Sequence, residues 1–272
     1  MDTVQKSVTS KDGTTIAFEE LGVGPVIILV DAALADRSGS AKLAKLLSEK
    51  FTVINYDRRG RGKSTDTQPY AIEREIEDIE ALIDAAGGSA YLFGSSSGSV
   101  LALDAANKLV SKVRGLITYE PPFIIDGSRS PMPDDFADQV TKLVLTDRRS
   151  DAVKLFFNKG MGIPAVFVTM MRLLMGDWSK MVEMAHTIPY DLAILAGTQS
   201  GKPLPVKRWA SITAPTLVLT GGKSEAFFHK GAQALADILP NTQHRILKDQ
   251  HHGSVVMAPK VIASELVEFF KA

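Results

Sequence analysis

Short, unbroken apolar runs separated by stretches of helical periodicity constrain this chain more than any other feature. Val26–Val30 is an aliphatic run ending at Asp31, and FTVINYD (51–57), SAYLFG (89–94), RGLITYE (114–120) and APTLVLTGG (214–222) repeat the pattern. Between them Leu43, Leu46 and Leu47, then Ile72, Ile76, Ile79, Leu82 and Ile83, recur at helical spacing, and Gly87-Gly88 closes the second set. A third helix is expected from Ser97 to Lys112. Strands that are apolar on both sides must be covered on both faces, and alternating helices do this in a parallel sheet. The expected fold class is α/β, with a mostly parallel, doubly wound sheet.

Two departures from the alternation shape the rest. VQKSVT and TTIAFEE flank the turn signal Lys11-Asp12-Gly13 and read as a β-hairpin ahead of the parallel strands. After RGLITYE the strand pattern stops, and the chain turns helical and irregular from Pro121 to about Trp209. It resumes with APTLVLTGG, a helix through GAQALADILP, a strand HRILKD and a last helix ending LVEFF. The expected organisation is one core, residues 1–120 and 210–272, interrupted by a helical lid over 121–209.

Composition narrows the function classes. The 272 residues are 45% hydrophobic and 23% charged with a formal net charge of +0, so no global field recruits nucleic acid or an anionic membrane. There is no cysteine, which removes disulfides, thiol nucleophiles and thiolate metal sites and is compatible with a reducing cytoplasm. The start, MDTVQKSVTSKDG, has no apolar core of a signal peptide. PVIILVDAALA is far short of the roughly 20 apolar residues of a membrane-spanning helix. A cytoplasmic protein acting on a small molecule is the expectation. No HExxH pattern or carboxylate–histidine cluster at ligand spacing is present, so no metal and no cofactor are expected.

The segment Gly94-Ser95-Ser96-Ser97-Gly98 fits G-x-S-x-G with Ser96 at its centre. A Gly/Ser turn can merely join two elements, but this one lies where a strand ends and a helix begins. There a serine is held in strained backbone geometry with its oxygen above the sheet, and the helix N-terminus offers unpaired N–H groups. Upstream, Asp57 to Ser64 (DRRGRGKS) ends like a phosphate loop. That motif needs a glycine where Asp57 stands, so a nucleotide site is rejected. Its arginines are expected to be solvated or salt-bridged.

With the DRRGRGKS loop and the serine motif together, the chain resembles the α/β-hydrolase superfamily over nearly its whole length. The resemblance implies a Ser-acid-His order, with Ser96 as nucleophile and the base in the loop after the last strand. HRILKD followed by Gln250-His251-His252-Gly253 fits that loop, and His252 is preferred over His251. For the acid, the usual place beyond APTLVLTGG holds Ser224 with Glu225 beside it. A second place, at the end of the strand after the nucleophile's helix, holds Glu120, which is preferred. The oxyanion donors implied are the N–H groups of Ser97 and Ala33. Where the superfamily has His-Gly, this chain has Asp31-Ala32, which can set a negative charge near the oxyanion unless Asp31 is bonded into the Asp36-Arg37 turn.

The helical stretch carries Met161, Met170, Met171, Met175, Met181 and Met184 with Phe156, Phe157, Phe167, Trp178 and Tyr190. Adaptable methionines and aromatics suggest an apolar pocket between core and lid. Asp31, Trp178, His186 and Tyr190 are the candidate pocket residues. The expected activity is a cofactor-independent serine hydrolase on a small to medium, largely apolar ester or related acyl compound. A lyase or cofactor-free peroxidase-type enzyme, or a ligand-binding receptor with little turnover, are the alternatives on this fold. An epoxide hydrolase or dehalogenase is disfavoured, since these need a carboxylate where Ser96 stands.

Overall fold

A computed structural model describes residues 4–174 and 176–271. The core is one sheet of eight strands, β1 (Val4–Thr9), β2 (Thr15–Leu21), β3 (Val26–Val30), β4 (Thr52–Tyr56), β5 (Ala90–Ser95), β6 (Val113–Tyr119), β7 (Thr216–Gly221) and β8 (Thr242–Leu247). They lie in the order β1-β2-β4-β3-β5-β6-β7-β8. The β1–β2 and β2–β4 pairs are antiparallel and all later pairs parallel. The hairpin read from the sequence is this β1–β2 edge.

Strand alternation explains how both faces are filled. Ile28, Val30, Leu92, Leu116 and Val218 join one buried cluster, and their neighbours Ile27, Leu29, Phe93, Ile117 and Leu217 join another. The first face is covered by helices α2 (Ile72–Ala85) and α3 (Ser97–Lys108), the second by α1 (Ala41–Leu47), through Ile79, Leu101 and Leu43. Helix α3 stops four residues short of the expected Lys112, because residues 109–112 form the turn that aligns β6; the Val113 N–H already bonds to Leu109 O.

Between β6 and β7 the chain is helical, as the lost strand pattern predicts. This segment carries α4 (Phe136–Leu145), α5 (Arg149–Leu155, continuing as a wider turn to Gly160), α6 (Ala165–Leu174), α7 (Trp178–Glu183) and α8 (Ile188–Ile194). It has its own core, including Phe136, Val140, Phe157, Trp178 and Met184, which Leu34 joins from the loop after β3. Met175 lies outside the described residues. Helices α9 (Ala226–Ile238), α10 (Ser254–Met257) and α11 (Pro259–Phe270) complete the chain. Helix α9 begins five residues before the expected GAQALADILP, so Phe227 and Phe228 are helical and buried.

The strand order positions the site. β3 lies between β4 and β5, so the chain leaves β3 to one side and returns to the other. A crevice opens outside the strand ends where direction reverses. The loops after β3 and β5 flank it.

Candidate active site

Ser96 stands at the sharp turn between β5 and α3 with φ of 52° and ψ of −124°, outside the region L-residues favour. The turn is tight enough that its flanking positions have no room for a side chain. A methyl at Gly94 would collide with the Gly98 carbonyl oxygen, and one at Gly98 with the Val30 carbonyl oxygen. The Ser96 N–H donates to Tyr119 O at 2.9 Å, tying the strained residue to β6. Behind it, the first N–H groups of α3 have no partner within the helix.

Glu120 directly follows β6 and is fully buried, with φ of 49°. Its Oε1 accepts the Gly221 N–H at 2.6 Å, and its Oε2 lies 2.8 Å from His252 Nδ1. The His252 ring is partly exposed and stacks on Phe228 at 4.7 Å between centroids. The neighbour His251 faces elsewhere: its Nδ1 accepts the Gly253 N–H at 3.1 Å and its carbonyl accepts the Tyr119 hydroxyl. Glu225 is exposed and immediately precedes α9, with no side-chain bond to the helix start or to His252.

Ser96 and His252 line one cavity of about 430 Å³, whose wall also includes Asp31, Ala33, Ser97 and Glu225. Asp31 is not bonded into the Asp36-Arg37 turn as expected. Its Oδ1 pairs with the Ser40 hydroxyl, while Arg37 turns to Asp57 and Glu19. Burial pushes the Asp31 carboxyl up to about 7, with Ser40, Arg61 and Arg58 only partly opposing it. Burial therefore favours the neutral form of this carboxyl on the cavity wall over a full charge.

The linkage gives a stability prediction. The Asp31 pKa is raised from 3.8 to about 7, so its favourable contribution is complete below 3.8 and is lost as pH rises through about 7. A shift of this size corresponds to about 4 kcal/mol at most. Asp31→Asn removes the titration. Urea unfolding at pH 4 and pH 8 is expected to show the variant gaining about 2–4 kcal/mol relative to wild type at the higher pH. An unchanged difference between the two pH values would contradict it.

Three other expected pocket residues lie away from the cavity wall. Trp178 packs inside the helical segment's own core, with its indole N–H 3.3 Å from Ser150 Oγ. His186 Nδ1 lies 2.9 Å from Glu183 O, on the side that faces Gly60. Tyr190 stacks on Tyr70 at 3.9 Å and donates its hydroxyl to Asp66 at 2.6 Å. Helical spacing places all three on α7, the following turn and α8, on faces turned from the crevice. The aromatics that do line it are Phe156, Phe157, Phe227 and Phe228.

A buried group that the sequence did not single out supports this site. Asp191 on α8 is fully buried, paired with Arg58 Nη1 at 2.7 Å and Arg61 Nη2 at 2.6 Å, and accepts the Ser97 hydroxyl at 2.8 Å. Burial pushes its carboxyl up, but Arg61 and Arg58 more than offset this, so it stays ionised below the usual carboxylate range. Arg61 also donates to Ala32 O at 2.6 Å and Arg58 to Asp31 O at 3.2 Å, fixing the loop after β3. Arg58 further pairs with Glu75, and Arg59 with Asp78 and Asp12. The DRRGRGKS arginines are thus salt-bridged, and buried instead of solvated. Among the described residues no group of His, Asp and Glu side chains is placed to hold a metal ion, and no helix is long and apolar enough to cross a membrane.

Comparison with known proteins agrees with this architecture. The family described as "Alpha/beta hydrolase family" matches residues 33–265. A solved alpha/beta hydrolase of Sphaerobacter thermophilus is 48% identical, with a TM-score of 0.89 over 97% of this chain and 100% of that one. An uncharacterized hydrolase of Bacillus subtilis is 29% identical over 159 residues, a match that spans 56% of this chain and 57% of that protein. A bifunctional esterase/perhydrolase of Acinetobacter calcoaceticus is 23% identical over 97% of this chain and 99% of that protein.

Proposed function

The chain belongs to the alpha/beta hydrolase family, and from that premise we propose a serine hydrolase that cleaves small to medium acyl substrates, esters first, through an acyl-enzyme. The observation that carries the reading is the Glu120–His252 pair of 2.8 Å set in the same cavity as the strained Ser96. An alcohol is a weak nucleophile at neutral pH and needs a base. In this reading His252 Nδ1–H donates to Glu120, which leaves Nε2 free to accept the Ser96 proton. Ser96 Oγ then bonds to the substrate carbonyl carbon, and the carbonyl electrons move onto oxygen.

The N–H groups of Ser97 and Ala33 hold that oxyanion; one such donor is worth roughly 3 kcal/mol. The imidazolium returns its proton to the leaving alkoxide as the carbonyl re-forms. Water, deprotonated by His252, next attacks the acyl-enzyme and releases the acid and Ser96. The helical segment between β6 and β7 acts as the lid, and its Phe156, Phe157 and Met161 supply the apolar wall that receives the acyl chain. Residence in the cytoplasm is part of the same proposal, and a chain without cysteine is compatible with a reducing compartment.

The test is steady-state turnover of p-nitrophenyl esters from acetate to decanoate. The reading expects saturable hydrolysis with a burst equal to one acyl group per chain when deacylation is slow. Turnover of a carbon–carbon or peroxide substrate with no burst would replace it with the lyase or peroxidase-type reading. Ligand retention with no turnover of any ester would replace it with a receptor.

A further inference from the structure

The cavity wall holds one permanent cation among its described residues, Arg129, from the loop between β6 and α4. Its guanidinium is half-buried and spends one donor inside the protein, Nη2 to Gly160 O at 2.8 Å. It lies over the Phe227 ring, with Cζ 4.6 Å from the centroid. Among the described residues no carboxylate forms an ion pair with it, whereas Arg58, Arg59, Arg61 and Arg208 are all paired. Burial holds its pKa below the usual arginine value, and the nearby Glu225 only partly compensates.

A guanidinium carries five donors in a planar fork that matches a carboxylate. An aromatic ladder connects it with the chemistry: Phe227 packs tilted against Phe228 at 4.0 Å, and Phe228 stacks on His252 at 4.7 Å. Arg129 thus sits at one end of an aromatic wall and the catalytic imidazole at the other. Both line the same space as Ser96. The wall also holds the carboxylates of Asp31, Asp191 and Glu225, but its apolar part, with Met132, Phe156, Phe157 and Ile163, does not need such a cation for a wholly apolar substrate.

We propose that Arg129 binds a carboxylate carried by the substrate at the far end of its acyl chain, so that the preferred substrates are half-esters of dicarboxylic acids. The inference rests on the acyl-substrate reading above and names its substrate class. Glu225, exposed on the same cavity wall, opposes an anion there.

The experiment compares mono-p-nitrophenyl glutarate, adipate and suberate with neutral p-nitrophenyl esters of equal chain length. A charge-assisted pair of this kind is worth roughly 10–100-fold in affinity. The anionic member of one pair should be favoured by at least about tenfold in kcat/KM, mostly through KM, and less so in 0.5 M salt. Arg129→Met should collapse that ratio, Arg129→Lys should keep part of it, and Glu225→Gln should raise it. Calorimetric binding of adipate to Ser96→Ala reads the same contact without chemistry, so it decides the matter even if no ester is turned over. No preference in wild type together with no adipate binding, or a preference that survives Arg129→Met, would overturn the assignment.

Discussion

Replacing Ser96 by alanine is expected to lower kcat for any hydrolysed ester by roughly 10⁴–10⁶-fold, leaving the fold and KM nearly unchanged. The size follows from the cooperative nature of the three groups. Without the Oγ, the proton transfer to His252 has no donor, and only donors and binding remain to assist water. The acid makes the sharper distinction. Glu120→Gln is expected to cost about 10³–10⁴-fold. Its amide would face the Gly221 N–H on one side and the His252 Nδ1 on the other, and it cannot accept from both. Whichever way it turns, a buried donor loses its partner or the imidazole is held in the wrong tautomer. Glu225→Gln, by contrast, is expected to leave turnover of neutral esters within about threefold, because an exposed side chain without a bond to His252 gives up little. Steady-state kinetics on all three variants checks the assignment; a larger loss in Glu225→Gln than in Glu120→Gln would reverse the choice of acid.

Removing Asp191 is expected to be the most destabilising single change at the site. The carboxylate pairs with two guanidinium groups that are 1% exposed or less, and truncation to alanine leaves Arg58 with Glu75 alone and the buried Arg61 without its carboxylate. Breaking a buried pair in this way costs about 3–5 kcal/mol, against a small net gain from having the pair at all. For a chain of this size that is on the order of 6–20 °C in Tm. The loss is not only thermodynamic. Arg61 holds the carbonyls of Ala32 and Ala35, and Asp191 holds the Ser97 hydroxyl, so both sides of the expected oxyanion position lose their tether. Asp191→Asn keeps the hydrogen bonds without the charge and should fall between the two. Thermal unfolding reads the first effect and kcat the second. A Tm within about 2 °C of wild type for Asp191→Ala would contradict this account of the network.

The parts of the molecule legible in its sequence are those dictated by local periodicity. Val26–Val30 and the four later runs had to be buried strands, because no amphipathic alternation offered one side to water, and each is a strand of the sheet. The serine turn was legible for the same reason: two glycines flank a serine where a strand meets a helix, and both are sterically required. Glu120 is reached through the superfamily resemblance, supported by the need of a carboxylate among aliphatics for a partner, and His252 lies beside it.

What escaped the reading depends on long-range contacts. Asp191 sits in an ordinary-looking helical stretch and meets Arg58 and Arg61 across more than a hundred residues. Three arginines beside a single acid in DRRGRGKS were the available signal, since burying them requires carboxylates from elsewhere. Trp178, His186 and Tyr190 were misplaced because membership of the helical segment does not fix which helix face meets the crevice. The Ser40 partner of Asp31 escaped because a loop of ordinary polar residues offers several equivalent bonds.

The central claim, an activated serine at position 96 served by His252, is tested most directly by exposing the folded protein to a small fluorophosphonate and locating the adduct by intact mass and peptide mapping. The account predicts a single adduct on Ser96 in wild type, none in Ser96→Ala, and labelling slowed by at least about 10²-fold in His252→Ala. A folded protein that takes up no label, or takes it up elsewhere, would contradict the claim.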